Sequence, residues 1–310
     1  MGINRVEITD FLVFKGKFTT DFCPGVNVII GGNATGKTTL LKSLYKNMKT
    51  VVYHRDIPNS PGKIVFNIGE NIFQYDKVIT DFYLSNDSHV VYIPEKDILE
   101  HAKGLLTFIE QKLTGFGQEY KDILIAAQDV PTQEQSEMQK SIRKKIVAII
   151  GGEVYRDKNE GSFYTLKPDG NRIPFANEAS GYKKFGLLGL LVSSGQLESG
   201  SVLFWDEPEN SLNPDLIPKL VDILLELSRN GIQIFIATHS EILARYFAVI
   251  RNNRDNVMFI SLYKDKNGEG IKADKDSRFD LLEPNNLISE PVKLYEKEIE
   301  KGLGGNDLCN

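Results

Sequence analysis

The spacing of hydrophobic and polar positions changes several times along the chain, and the changes mark out its elements. Over residues 3–30 apolar and polar side chains alternate: Val6 and Ile8 with Glu7 and Thr9, then Phe18 and Phe22 around Thr19-Thr20-Asp21. A period of two predicts half-buried strands. Pro24-Gly25 forms a turn that leads into the apolar run Val26-Asn27-Val28-Ile29-Ile30. Val51-Val52-Tyr53, Lys63-Ile64-Val65-Phe66-Asn67-Ile68 and His89-Val90-Val91-Tyr92-Ile93 predict three more short strands, the last stopped by Pro94.

From about residue 95 the period becomes helical, with Ile98, Leu99, Leu105, Leu106, Phe108, Ile109 and Leu113 on it. A break around Pro131, from Gln128 to Thr132, separates this from a second helical piece over 133–150. Strand character returns over 152–175, with turns at Lys158-Asn159-Glu160-Gly161 and Lys167-Pro168-Asp169-Gly170. Then strands and helices alternate. A helix is predicted over Gly181–Ser194 and a buried strand over Ser201–Trp205. An amphipathic helix follows over 214–229, with Pro214 near its start, then a second buried strand over Ile232–Ala237 and a helix over Glu241–Phe247. A strand over Val257–Leu262, a turn at Lys266-Asn267-Gly268 and a charged helix over about 290–301 complete the pattern. Such alternation predicts an α/β fold. Residues 1–95 and 176–310 read as two parts of one core. Residues 96–175 read as an inserted subdomain, a helical piece plus a β-hairpin.

The turn after Ile30 carries the chemistry. Gly31-Gly32-Asn33-Ala34-Thr35-Gly36-Lys37-Thr38 follows a strand and precedes the helical run from Thr39, the context that makes G-x-x-x-x-G-K-[ST] a P-loop. Its glycines let successive backbone N–H groups point inward and cradle phosphate oxygens. The helix beginning there adds its positive end. Lys37 is placed to reach β- and γ-phosphates, and Thr38 to ligate Mg²⁺.

Three further strand or helix ends add to this. Val202–Trp205 runs into Asp206-Glu207. Asp206 is a candidate Mg²⁺ ligand, and Glu207 is placed to orient or deprotonate an attacking water. The next strand ends in Thr238-His239-Ser240, so His239 can face the γ-phosphate. Ala179-Ser180-Gly181 opens a helix, where Ser180 is a candidate cap and Gly181 allows close approach of a ligand.

Charge and cysteine content narrow the setting. The 310 residues carry a net charge of −5, which gives no sign of nucleic-acid binding through global charge but leaves a local basic groove open. Lys140, Arg143, Lys144 and Lys145 form a basic helix face, a possible contact with DNA or simply a solvated surface. The two cysteines, Cys23 and Cys309, suggest neither a disulfide framework nor a metal site, and a cytoplasmic location is expected. No apolar stretch is long enough for a signal segment or a bilayer span, so no membrane partner is expected. Gly2 lacks the Ser or Thr at position six that myristoylation favours, where Val6 stands.

The order P-loop, Ser-Gly helix, Asp-Glu strand, His strand resembles the ABC-type ATPases, within them the stand-alone branch of RecF, SMC, Rad50 and OLD-type proteins. Ile8-Thr9-Asp10-Phe11, Pro24-Gly25-Val26-Asn27 and Asp206-Glu207-Pro208-Glu209-Asn210-Ser211-Leu212-Asn213-Pro214 carry the same resemblance, over roughly residues 3–95 and 176–262. It implies a homodimer that sandwiches two ATP molecules. Gly31 to Thr39 and Lys37 of one copy would bind the triphosphate with Mg²⁺. Ser180 and Gly181 of the other would close on it, and Ser211 to Asn213 would cross the interface. Departures are Tyr182-Lys183 in the signature, Ala34 where many members carry Gly, and Asn213 in place of an acid. For the Q-loop, Glu95 and Gln74 are both candidates. Asp274-Lys275-Asp276 has the spacing of a Toprim motif, but the roughly seventy residues after His239 are too few for an added nuclease domain. The pair is expected to be a solvated turn.

Three functions compete. The first is an ATPase that couples nucleotide state to DNA or to an effector protein such as a toxin or nuclease, as in anti-phage defence. The second is an ATP-stabilised scaffold or sensor with little turnover. The third, a transporter subunit, fits the signature poorly.

Overall fold

The computed structural model describes residues 2–49, 63–68, 71–75, 89–96, 99, 105, 108–109, 111, 116–128, 134–157, 160–265, 268 and 270–303. The expected strand over 51–53, the break around Pro131 and parts of the helical pattern over 95–116 lie outside them.

Two sheets organise the core. The larger has six strands in the order β13-β12-β3-β11-β10-β6. These are β3 (Val26–Gly31), β6 (Val90–Ile93), β10 (Val202–Asp206), β11 (Gln233–Ala237), β12 (Val257–Lys264) and β13 (Ile271–Asp276). The first five run parallel, and β13 closes one edge antiparallel to β12. Every residue of β3, β6, β10 and β11 is buried, as expected of parallel strands covered on both faces. Asp274-Lys275-Asp276 therefore lies in an edge strand rather than the solvated turn its charges suggested. Pairing with β12 supplies the backbone partners, and the exposed edge tolerates the charges.

The smaller sheet has four antiparallel strands in the order β2-β1-β4-β5: β1 (Ile3–Phe11), β2 (Phe14–Asp21), β4 (Lys63–Ile68) and β5 (Asn71–Tyr75). One hydrophobic cluster, built on Val6, Ile8, Phe18, Ile29, Leu41, Tyr92 and Phe204, joins it to helix α1 (Lys37–Lys49) and one face of the large sheet. The other face is covered by helices α2 (Gln118–Gln128), α3 (Glu137–Ile150), α4 (Ser180–Ser193), α5 (Ile217–Arg229) and α6 (Glu241–Ile250), whose leucines and isoleucines share a second cluster. A 3-10 turn, Pro214–Leu216, leads into α5 and accounts for the early start of the expected helix.

Residues 152–175 form three strands, not a two-stranded hairpin. They are β7 (Glu153–Arg156), β8 (Phe163–Leu166) and β9 (Arg172–Pro174) in a meander, each turn contributing a new antiparallel neighbour. Helix α3 begins with the capping box Ser136/Gln139 and ends at Gly151 in the left-handed conformation. Helix α7 (Asn286–Leu303) starts earlier than the charge pattern suggested, because Leu287 and Ile288 pack on the core. No described helix is long and apolar enough to cross a membrane.

Candidate nucleotide-binding site

The P-loop turns from β3 into α1 at the centre of the large sheet. Its backbone explains its composition. Gly31 has φ +150°, and a Cβ there would sit 2.3 Å from the carbonyl oxygen of Leu262 on β12. Gly36 has φ +89°, with Val13 and Phe14 against it. Gly32 is less confined: a Cβ there would make only ordinary van der Waals contact, with Thr35 at 3.8 Å and Asn286 at 4.0 Å. Ala34, at φ +58°, takes the left-handed conformation that glycine adopts freely and alanine adopts at a cost. Asn33 is exposed, and Thr35 ties the loop to itself through Oγ1 to Gly32 O at 2.9 Å.

Lys37 is buried, and its Nζ donates to Gly31 O and Gly32 O at 2.9 and 3.0 Å. Burial pulls its pKa down to about 8, against the opposing pull of Glu207, Asp206 and Glu209. Thr38 Oγ1 donates to Asp206 Oδ1 at 3.1 Å, and Tyr92 Oη donates to Asp206 Oδ2 at 3.1 Å. Thr39 follows on α1. Burial raises the pKa of Asp206 despite these two hydrogen bonds.

The strand carrying Asp206 is not the neighbour of the P-loop strand; β11 lies between them. Sequence adjacency does not reveal this, because parallel neighbours are chosen by crossover connections. The result places His239, at the end of β11, between the P-loop and Glu207. His239 Nε2 lies 3.5 Å from Glu207 Oε1. Glu207 has φ +49°, a strained conformation for a non-glycine residue, and its N–H donates to Ala237 O at 2.9 Å. Its pKa is raised by burial and by Glu95, Glu209 and Asp206, with Lys37 opposing. That of His239 is lowered by burial and by Lys37, with Glu95 opposing, so the imidazole is neutral at pH 7. A carboxylate of raised basicity beside a neutral imidazole is equipped to take a proton from water.

Among the described residues, neither Ser180 nor Gly181 makes a side-chain hydrogen bond to this cluster. Ala179 occupies the cap position of α4 without a side-chain capping bond. Ser180 is the first helical residue, which leaves its side chain exposed. Gly181 is buried, and a Cβ there would meet Leu212 and Leu216 at 3.0 and 3.3 Å. Its small size serves packing inside the chain rather than approach to a ligand. One turn on, the buried Lys184 donates to the backbone oxygens of Glu207 and Pro208 at 3.1 and 3.3 Å.

Several residues were invisible to motif spacing. Tyr92 was legible only as a strand aromatic and Lys184 only as a helix charge. Of the two Q-loop candidates, Glu95 follows β6 and accepts a 2.8 Å hydrogen bond from Asn210, whereas Gln74 lies in β5 of the other sheet. Among the basic residues of α3, Lys140 pairs with Glu137, Arg143 with Glu153, and Lys145 with Asp222 and Glu226. These pairs favour the solvated-face reading over a DNA contact.

The donor set fits a nucleotide and a hard cation. The glycine loop and the buried ammonium suit a triphosphate, and Thr38 with Asp206 offers two oxygen ligands. Among the described residues no group of three His, Cys, Asp or Glu side chains is arranged to hold a metal by itself. A cation here would draw on a hydroxyl, one carboxylate and phosphate oxygens, as Mg²⁺ does in such sites.

Fold and site together define a P-loop NTPase fold. Residues 68–245 match the family model described as "AAA domain, putative AbiEii toxin, Type IV TA system", and the chain belongs to that family. Among solved structures, it is similar to the SMC head bound to the C-winged helix domain of ScpA. That match has a TM-score of 0.55 at 14% identity and covers 89% of this chain and 98% of the other. It is also similar to the SMC head with an extended coiled coil bound to the C-terminal domain of ScpA from Pyrococcus furiosus. There the TM-score is 0.52 at 12% identity, with 95% and 98% covered. At such identity the likeness is one of fold. No curated protein sequence matches the chain.

Proposed function

We propose that this protein binds ATP with Mg²⁺ and hydrolyses it, and that two copies close around two nucleotides to do so. The observation that carries the reading is the convergence of Lys37 and Thr38 from α1, Asp206 and Glu207 from the end of β10, and His239 from the end of β11. Bound nucleotide and Mg²⁺ would supply the γ-phosphoryl group and the charge that polarises it. Gly31 to Thr39 would hold the phosphates through backbone N–H groups. Lys37 would exchange its two carbonyl partners for phosphate oxygens. Thr38 and Asp206 would hold the cation. Glu207 would orient water and take its proton, and His239, neutral, would donate toward the γ-phosphate.

Ser180 is exposed and distant in role from its own chain's cluster, which supports its use by a second copy. Residues 96–175 act, in this reading, as an inserted subdomain that passes the nucleotide state to a partner. The partner would be an effector protein such as a toxin or nuclease.

Glu207→Gln removes the base while keeping shape. Phosphate release is expected to fall at least ~100-fold, the scale of general-base loss. ATP-dependent dimers should accumulate in light scattering. Unchanged phosphate release in this variant refutes the role of Glu207. Binding of ATP by the wild type with negligible release would instead favour a nucleotide-stabilised scaffold.

A further inference from the structure

Two residues beyond Glu207 lies a carboxylate that the proposed chemistry does not use. Glu209 Oε1 accepts two hydrogen bonds from the end of β11: Thr238 Oγ1 at 2.5 Å and the backbone N–H of His239 at 3.2 Å. Thr238 is fully buried, and its hydroxyl oxygen accepts the N–H of Ser240 at 2.9 Å. Ser240 in turn caps α6, its Oγ accepting from Leu243 N at 3.1 Å. One carboxylate oxygen thus anchors the turn from the strand into the helix. The other, Oε2, is buried and has no hydrogen-bond partner.

A buried acceptor left unpaired costs stability, whereas Oε1 keeps the Thr238 hydroxyl and the His239 N–H paired. What the arrangement does fix is the position of the backbone that carries His239. The opposite side of the same turn faces Glu207, 3.5 Å from the imidazole. We propose that Glu209 is the positioning residue of the hydrolytic pair: through Thr238 and the His239 N–H it aims the imidazole at Glu207 and at the γ-phosphate site. The proposal rests on the hydrolytic reading above, yet its geometry can be tested without turnover.

The test uses the full chain and four variants: Glu209→Ala, Glu209→Gln, Thr238→Val and the double Glu209→Ala/Thr238→Val. Steady-state hydrolysis gives kcat, titration with ATP gives Kd, and side-chain NMR of the four histidines reports the His239 imidazole directly. Glu209→Ala is expected to lower kcat about tenfold or more while leaving Kd within about twofold, since the phosphate cradle is untouched. Glu209→Gln, which retains the accepting oxygen, should recover most of the rate. Thr238→Val should lose as much as Glu209→Ala, and the double variant should lose no more than either, because all three break one chain of hydrogen bonds. The His239 signal should move in Glu209→Ala and return toward its wild-type position in Glu209→Gln.

An unmoved His239 signal with unchanged kcat in Glu209→Ala overturns the proposal. Additive losses in the double variant also overturn it. If Glu209→Ala does not fold, the near-isosteric Thr238→Val decides, and wild-type kcat and signal there are equally fatal. If the wild type shows no turnover, the hydrolytic reading fails, while the His239 signal still decides whether Glu209 sets its position.

Discussion

Helix α1, which carries Lys37 and Thr38, is bound to α2 by charge, and the binding is lopsided. Lys42 Nζ lies 2.7 Å from Glu119 Oε1, while Glu119 Oε2 is buried with no partner. The Glu119 side chain is 4% exposed, that of Lys42 34%. Replacing Lys42 by Met strands a carboxylate that cannot reach water; replacing Glu119 by Gln strands an ammonium that can. Breaking a buried pair costs about 3–5 kcal/mol, and nearby Lys46 should hold the Lys42→Met loss to the lower end. Glu119→Gln should cost about 1 kcal/mol.

The pH dependence gives a second check. Burial pushes the Glu119 pKa up, but the Lys42 hydrogen bond, a hydrogen bond from its own backbone N–H and the charges of Lys42 and Lys46 outweigh it, and the net direction is down. A depressed carboxylate contributes stability above its unfolded pKa and loses it as pH falls through the folded one, so wild type should change little from this group between pH 7.5 and 5. In Lys42→Met burial dominates and the sign reverses. Protonation then relieves the penalty as pH falls, and the gap to wild type should narrow over that range. Urea denaturation of the three proteins at both pH values measures this. Equal losses for the two variants, or a gap independent of pH, would refute the reasoning.

Two other outcomes follow from the P-loop. With its pKa near 8, Lys37 is charged at pH 7 and largely neutral by pH 9. Phosphate favours the charged form, so ATP binding should take up about half a proton at pH 8, and affinity should fall about tenfold from pH 7 to 9. Calorimetry in buffers of different ionisation enthalpy measures the uptake, and buffer-independent heats at pH 8 would contradict it. Gly31→Ala should destabilise the chain by ~2 kcal/mol or more, since the new methyl meets a backbone carbonyl rather than a flexible side chain. A urea midpoint equal to wild type would show that the β3–β12 contact yields more easily than its geometry implies.

Much of this was legible in the chain itself, and the reasons differ by residue. The P-loop, Asp206-Glu207 and His239 are strand ends with fixed spacing, and local sequence suffices to find them. The apolar runs Val202–Trp205 in β10 and Ile234–Ala237 in β11 announce burial on both faces. The order of strands is another matter. That β11 separates β3 from β10 depends on crossover paths that no window of sequence records. Glu209, Tyr92 and Lys184 act through partners 29, 114 and 23 residues away, so spacing could not single them out. The strand β13 was masked by its charges, because edge strands carry charge for reasons unrelated to turns.

The left-handed backbone at Glu207 bears on how such a chain could change over evolutionary time. At φ +49° a glutamate carries about 1–2 kcal/mol of strain that glycine would not, and asparagine would feel less of it. While hydrolysis is under selection, that strain is maintained. In a lineage that needed only nucleotide binding, drift toward Asn or Gly here would stabilise the protein and extinguish turnover in a single step. A descendant keeping Gly31 to Thr38 but losing the acid at this position would be a relaxed, ATP-holding remnant, and its backbone would gain from the loss.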